Sequence, residues 1–278
     1  MTVPAKLERS LSAYMPGAGR EDQPENIHTD KVAKSLGYRG ALVYGTTVYG
    51  WSVPLIVEAL GDDWMSDGWA DLAIRRPIYT GDRLHITLEP GPGGAFVLAA
   101  CGDDGGAKVS GVVGKGTGAW TADHVRSKRT EVESLPNPRP LITLEAAPVG
   151  EDLPCLRAEP HDRLTNLFQE ATEYERGALL ARGRRVLSPA AISGRMTWYV
   201  HAVWDYAGPA LHTSSQVQYL DFVDPDEPLT VAGHFRDAYE RNGHQYSITD
   251  GVVFGADGRE VALTRHGSIF KVAKQESQ

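Results

Sequence analysis

The same order of elements occurs twice along the chain, an apolar segment of helical length followed by four strand-like segments. The first apolar segment, residues 43–60, is apolar around most of the circumference of a helix. The second, residues 189–208, carries apolar side chains at helical spacing: Ile192, Met196, Tyr199, Val200 and Val203. An apolar helix followed by an antiparallel meander, repeated once, is typical of an α+β protein.

The strand-like segments are short, and they are separated by turns rich in glycine and aspartate. They cover residues 68–77, 82–90, 95–101, 107–120, 211–222, 229–240, 244–254 and 260–272. A helix that is apolar on nearly every side has to be covered on nearly every side, and a sheet wrapped around it achieves this. Joining two such sheets edge to edge also removes two exposed strand edges. The sequence therefore predicts a tandem double hotdog, in which each half is a long central helix wrapped by an antiparallel sheet.

Proline marks the boundary between the halves. Six of the 17 prolines fall within residues 136–160. Each proline ring fixes φ and removes a backbone donor, so this density favours an extended connector. We expect an N-terminal hotdog at residues 1–125, a proline-rich linker at 126–160 and a C-terminal hotdog at 161–278.

Composition limits the classes of function. The formal charge of −8 and the isoelectric point near 5.6 argue against a nucleic-acid-binding surface. No apolar run approaches the ~18 residues of a membrane helix, and residues 1–22 contain no apolar signal core. Two cysteines fit a reducing compartment. We expect a cytoplasmic protein without membrane or nucleic-acid partners, either a monomer or a homodimer.

The polar segment before the first helix holds the candidate catalytic groups. Five of them lie within nine residues: Asp22, Glu25, Asn26, His28 and Asp30. A neutral imidazole beside carboxylates can orient a water molecule and remove its proton. The alternative interpretation is a solvated loop that caps a short helix at residues 31–36, with Thr29 or Asp30 as the N-cap residue.

Three stretches together resemble one family. Residues 26–30 (Asn-Ile-His-Thr-Asp), 37–45 (GYRGALVYG) and 75–84 (RRPIYTGDRL) are similar to the MaoC-like hydratase/dehydratase branch of the hotdog superfamily. That branch carries Asp-x-Asn-Pro-x-His before a glycine-containing helix start and Pro-x-x-x-Gly-Asp-x-Leu at a strand opening. His28 matches the histidine of the first pattern, and Gly45 matches the glycine at the helix start. Residues 77–84 (PIYTGDRL) match the second pattern.

The chain departs from the first pattern at three places. Gln23 stands where the family has its catalytic aspartate, Glu25 where it has asparagine, and Asn26 where it has proline. A one-residue insertion would bring Asp22 into the aspartate position; otherwise Glu25 would have to serve.

The resemblance implies reversible addition of water to the 2,3-bond of an enoyl thioester carried by coenzyme A or by a phosphopantetheine carrier. No metal and no cofactor are implied. His28 with Asp22 or Glu25 would form the acid/base pair. The expected oxyanion and substrate-binding residues are Gly45, Thr46, Asn26 and Tyr44, because a helix N-terminus supplies unpaired N–H groups for an enolate oxygen.

Two other functions stay open. A thioesterase of the same fold would use Glu25 or Asp22 to direct water at the carbonyl carbon. A non-catalytic hotdog that binds an acyl ligand is favoured by Gln23. No histidine lies between His161 and His201, so we expect one site per chain, with the second half as a scaffold that lends a wall to the acyl pocket.

Side chains elsewhere give weaker signals. Phosphate-binding candidates are two basic clusters, the first Arg182, Arg184 and Arg185, the second Arg126, Lys128 and Arg129. The later histidines His234, His244 and His266 are expected to be core or edge residues. Aromatic residues near the first helix are expected to line the pocket or to pack in the core: Tyr49, Trp51, Trp64 and Trp69.

Overall fold

A single antiparallel sheet of ten strands runs through both halves of the chain. The computed structural model describes residues 6–15, 27–135, 137–160 and 180–273. Strand order across the sheet is β1-β3-β4-β5-β2-β9-β12-β11-β10-β6, so the four-stranded meanders of the two halves meet at β2 and β9. The predicted tandem double hotdog of the α+β class is confirmed. The boundaries at residues 125 and 160 stay predictions.

The elements of the first half are β1 Leu7–Ser12, α1 Asp30–Ser35, α2 Gly45–Leu60, α3 Trp64–Asp67, β2 Gly68–Ile74, β3 Arg83–Pro90, β4 Phe96–Gly102 and β5 Ala107–Lys115. Those of the second half are β6 Leu156–Ala158, β7 Leu180–Ala181, β8 Arg184–Arg185, α4 Pro189–Val203, β9 Leu211–Tyr219, β10 Leu229–Arg241, β11 His244–Phe254 and β12 Glu260–Lys271. The short hairpin of β7 and β8 is separate from the main sheet.

The two long helices form the centre of the molecule and pack against each other. Residues 46–53 of α2 are all buried, which a helix achieves only when neighbours cover nearly its whole circumference. Helix α4 is buried in the same way along residues 189–196. Its N-cap residue Ser188 accepts a hydrogen bond from the N–H of Ala190, and Pro189 occupies the first turn, where a missing donor costs nothing. No helix among the described residues is long and apolar enough to cross a membrane.

A chain of buried hydroxyl groups ties the two helices to the sheet. The Tyr49 hydroxyl on α2 lies 2.6 Å from the Tyr219 hydroxyl on β9, and Tyr219 donates to the carbonyl of Pro189 at 3.1 Å. Both tyrosines are almost completely buried. Burial raises the pKa of both phenols, so they stay neutral and can be hydrogen-bonded inside the core.

The proline-rich segment packs on the second half. Strand β6 within it pairs with β10, and the Asp152 carboxylate lies 2.8 Å from Nδ1 of His234. Arg126 forms an ion pair with Glu260 on β12 at 2.9 Å. The pairing of β6 with β10 extends the second half of the sheet by one strand, and the two side-chain contacts hold the proline-rich segment against it.

The seam between the halves is the pairing of β2 with β9, from Trp69 opposite Gln218 to Ala73 opposite Ser214. Gln218 is buried there and uses both ends of its amide. Its Oε1 accepts from the N–H of Gly118 at 2.8 Å, and its Nε2 lies 2.9 Å from the carbonyl of Gly116 and 3.1 Å from that of Gly68. One side chain thus satisfies backbone groups at the start of β2 and in the loop that follows β5.

We predict that Gln218→Leu lowers the free energy of unfolding by about 2–4 kcal/mol, because it leaves buried backbone groups without partners. The matched control is Gln216→Leu on the same strand. Gln216 is half-buried, and among the described residues its side chain bonds to the Asp71 carboxylate alone, so its loss should cost less than about 1 kcal/mol. Urea unfolding of the two variants tests this. Equal losses would contradict the role assigned to Gln218.

Candidate functional site

A cavity of about 1090 Å³ opens between the two halves. This volume is at the upper end of what small-molecule sites occupy, ~300–1,000 Å³. The first half contributes the segment before α2, the first turn of α2 and residues 74–78, which begin at the last residue of β2. The second half contributes the end of α4, residues 206–213, His244 at the start of β11 and residues 266–269 of β12. Apolar atoms make up more than half of the walls, and histidine, arginine, threonine, serine and tyrosine side chains supply the polar part.

The segment before α2 is held in place by backbone hydrogen bonds. The N–H of Leu42 donates to the carbonyl of Ile27 at 3.1 Å, and the N–H of Val43 donates to that of Ile78 at 2.8 Å. Leu42 also forms an isolated bridge with Tyr79. The segment is therefore attached at two points to the chain that follows β2, and the side chain of His28 is fixed relative to the sheet.

The predicted short helix is present as α1, with Thr29 as its N-cap residue. Asp30 accepts the N–H of Ala41 at 2.8 Å and pairs with Lys34 at 2.7 Å. The Asp30 carboxylate therefore stabilises the turn between α1 and Ala41, and Asp30 is not one of the residues that line the cavity. The helix predicted at residues 31–36 is therefore present at Asp30–Ser35, without a capping hydrogen bond from the Thr29 side chain, and the same segment presents His28 to the cavity.

His28 lines the cavity with its ring tilted over Tyr44, the two centroids being 3.6 Å apart. Its Nδ1 lies 2.7 Å from the carbonyl oxygen of Leu42. A carbonyl oxygen can only accept, so Nδ1 carries the hydrogen and the lone pair of the neutral ring is on Nε2. Burial lowers the pKa of His28 to about 4, outweighing the Leu42 hydrogen bond, which acts in the opposite direction. At neutral pH the ring is an uncharged base.

The first turn of α2 lies beside His28. Tyr44 is the N-cap residue, and the N–H of Thr47 already donates to the Tyr44 carbonyl at 3.0 Å. Gly45 and Thr46 line the cavity and hold the first two positions of the helix, where N–H groups have no intrahelical acceptor. A Cβ atom on Gly45 would overlap Cδ1 of Ile74, so this position needs glycine for α2 to approach β2.

Four histidines of the second half line the same cavity: His201 at the end of α4, His212 at the start of β9, His244 at the start of β11 and His266 on β12. Their spacing in the sequence does not indicate that they meet there. The expectation that His266 is merely a core or edge residue was incomplete, since its buried ring also forms part of the cavity wall. A charge on His201 would lower the pKa of His28, so the two rings are electrostatically coupled across the cavity. His201 donates from Nδ1 to the carbonyl of Thr197 at 2.7 Å, the same tautomer as His28.

Arginines line the cavity at positions that differ from the two predicted basic clusters. The cavity arginines are Arg75, Arg76 and Arg139. Within the predicted clusters, Arg126 pairs with Glu260, Arg129 with Glu133 and Arg182 with Asp63. Their charges are thus already compensated by carboxylates, and none of these residues lines the cavity.

Several expected site residues lie outside the described part of the chain, namely Asp22, Glu25 and Asn26. Their roles stay predictions. The expected aromatic residues Tyr49, Trp51 and Trp64 are buried in the core cluster, and the cavity has Tyr38, Tyr44, Trp198 and Tyr206 instead. Among the described residues, no group of three or more His, Cys, Asp or Glu side chains is arranged to hold a metal ion.

Solved structures share this architecture. A conserved hypothetical protein from Mycobacterium tuberculosis, described as having a double hotdog fold, superimposes with a TM-score of 0.66 at 11% identity, over 97% of this chain and 96% of that one. A MaoC-like dehydratase superimposes with a TM-score of 0.56 at 15% identity, over 95% of this chain and 98% of that one. No protein-family model and no curated protein matches the sequence. At these identities the comparisons establish the double hotdog fold.

Proposed function

We propose that this chain is a hydratase/dehydratase that adds water to, or removes it from, the 2,3-bond of an acyl thioester. The observation that carries the proposal is the position of His28, a neutral base anchored through Nδ1 beside the first turn of the central helix. The fold shared with a MaoC-like dehydratase supports it. So do the size of the cavity and its location between the halves.

The proposed reaction needs one base and one oxyanion site. Nε2 of His28 takes a proton from water as the water oxygen bonds to C3 of the enoyl group. The electrons of the 2,3-bond move toward the thioester oxygen, where the N–H groups of Gly45 and Thr46 and the helix dipole stabilise the negative charge. Collapse of the enolate takes up a proton at C2, from the His28 imidazolium or from Asp22 or Glu25. Tyr44 and Asn26 would complete the binding surface.

The arginines of the cavity fit the carrier part of the substrate. Coenzyme A and phosphopantetheine carry phosphates, and guanidinium groups bind phosphate through paired N–H donors. The Arg76 side chain is more than half exposed, and its nearest carboxylate oxygen, on Asp104, is 3.7 Å away. We propose that Arg75, Arg76 and Arg139 contact these phosphates.

A thioesterase is the second candidate, because the same base and the same N–H donors would serve attack of water on the carbonyl carbon. The two reactions differ in their products. Hydration converts an enoyl thioester into a hydroxyacyl thioester and keeps the thioester bond, whereas hydrolysis releases a free thiol. A non-catalytic acyl-binding protein would give neither product.

We predict that His28→Ala lowers kcat/KM for enoyl-thioester hydration by at least about 100-fold, the lower range for loss of a positioned acid/base group. Enoyl absorbance and free thiol should be followed together. His85→Ala is the matched control, since His85 is an exposed histidine on β3 that bonds to Ser10 and Asp103 outside the cavity. Wild-type turnover by a folded His28→Ala protein would contradict the assignment.

The pH dependence gives an independent prediction. A general base works only while deprotonated, and the pKa of His28 is about 4. The acidic limb of kcat/KM should therefore stay flat well below the ordinary histidine pKa of ~6.5 and fall only as the pH approaches about 4. Initial rates across this range test it. A midpoint near the ordinary value would show that a different or a solvated group is the base.

A further inference from the structure

The second-half wall of the cavity contains a pair of stacked imidazoles. The rings of His212 and His266 lie 4.3 Å apart between centroids, with 27° between their planes. His212 is at the start of β9, and its neighbour across the β12 ladder is Ser268, which also lines the cavity. Strand pairing therefore fixes the pair at one position of the wall.

The protein leaves part of this pair's hydrogen-bonding capacity unused. Nε2 of His212 donates to the carbonyl of Ser214 at 2.9 Å, so its Nδ1 carries a lone pair. His266 is only 2% exposed, and its Nδ1 is covered by protein and has no hydrogen-bond partner among the residues that the structure describes, so Nε2 is the nitrogen that this ring can offer to the cavity. Among the described residues, neither Nδ1 of His212 nor Nε2 of His266 takes part in a hydrogen bond. A site built to bind a polar ligand group commonly contains such nitrogens, which are paired only when the ligand is bound.

Both imidazoles are uncharged at neutral pH. Burial lowers the pKa of His212 to about 4, and burial together with the charge that His212 would carry lowers the pKa of His266 well below its usual value. The charged groups facing the pair do not reverse this, since a charged His201 lowers both values further. The pair therefore suits a neutral oxygen, such as a hydroxyl or a carbonyl, better than a carboxylate.

The wall around His28 has a different character. Ile27, Leu42 and Ile78 are buried apolar residues there, and Ile27 and Leu42 pack with Leu211 of the second half. An acyl chain bound in this cavity would meet apolar surface near the reacting bond and imidazole nitrogens at the His212–His266 pair. A plain alkyl chain cannot form hydrogen bonds with the pair, whereas an oxygen-bearing chain can.

We infer that the His212–His266 pair is a subsite for a neutral oxygen function on the acyl part of the substrate. The inference rests on the proposed function for the thioester end of the molecule. It narrows the substrate class to hydroxylated or oxo-substituted acyl thioesters, in preference to simple fatty acyl thioesters.

Matched pairs of saturated acyl-coenzyme A ligands test the inference, because they bind without reacting at the 2,3-bond. In each pair one ligand ends in a hydroxyl and the other in a methyl group, over a series of chain lengths. At the length that reaches the pair, the wild-type protein should bind the hydroxyl ligand about 10-fold more tightly, as one good hydrogen bond allows. Calorimetric titration measures the ratio.

His266→Phe and His212→Phe keep a ring at each position and remove its nitrogens, so each should reduce the ratio to near one. His85→Phe, on β3 away from the cavity, should leave it unchanged. If His266→Phe fails to fold, the affinity ratio of the wild type and that of His212→Phe still test the inference. Equal or tighter binding of the methyl ligand at every length, or a preference that survives both cavity variants, would overturn the inference.

Turnover of an unsubstituted enoyl-coenzyme A separates this inference from the proposed function. Hydration without a hydroxyl preference would keep the hydratase and overturn the polar subsite. A hydroxyl preference that disappears in the cavity variants, with no turnover of any enoyl thioester, would keep the subsite and overturn the hydratase. If neither the hydroxyl ligands nor the methyl ligands bind, both the polar subsite and the proposed hydratase function are overturned.

Discussion

The pairing of β2 with β9 is the constraint on which the rest of the structure depends. Each half has a helix that is apolar on nearly all sides, and four strands cannot cover such a helix completely. Joining the sheets through β2 and β9 lets the two helices cover each other and leaves a ten-stranded sheet without exposed edges at its centre. Gln218 and the hydroxyl pair Tyr49–Tyr219 satisfy the polar groups that this junction buries.

The cavity is a consequence of that junction. It lies between the halves, so its walls come from segments distant in sequence: the loop before α2, the chain after β2, and the starts of β9 and β11 with β12. The tautomer of His28 depends on a local feature, the hydrogen bond from its Nδ1 to the Leu42 carbonyl. The second half also helps to keep this ring neutral, because a charge on His201 would lower the pKa of His28.

Much of the fold was predictable because its determinants are local. The helical spacing of α4 and the glycine and aspartate turns gave most second-half strands within a few residues, and β11 at residues 244–254 is as predicted. The sequence patterns did not indicate β1, β6 or the two-residue strands β7 and β8. Strands β1 and β6 are short, and each is defined by a partner distant in the sequence, β3 and β10, more than by its own pattern.

The sequence could indicate the first-half wall of the candidate site, but not the second-half wall. His28, Tyr44, Gly45 and Thr46 are close in sequence, and a motif could indicate them together. His212 and His266 meet only through the register of β9 on β12, which sequence spacing does not reveal. The same limit applies to the cavity arginines. Arg139 lies in the connector and reaches the cavity by bonding to the carbonyl of His201, a contact between segments far apart in sequence.

Incubation of an enoyl thioester with the protein in water enriched in heavy oxygen tests the central claim most directly. The account predicts label on the C3 hydroxyl of a product that is still a thioester, formed by the wild type and lost in His28→Ala. Label in a free carboxylate, together with released thiol, would contradict hydration and establish hydrolysis. An unlabelled, unchanged thioester across chain lengths and oxygen-substituted acyl groups would contradict catalysis at the 2,3-bond altogether.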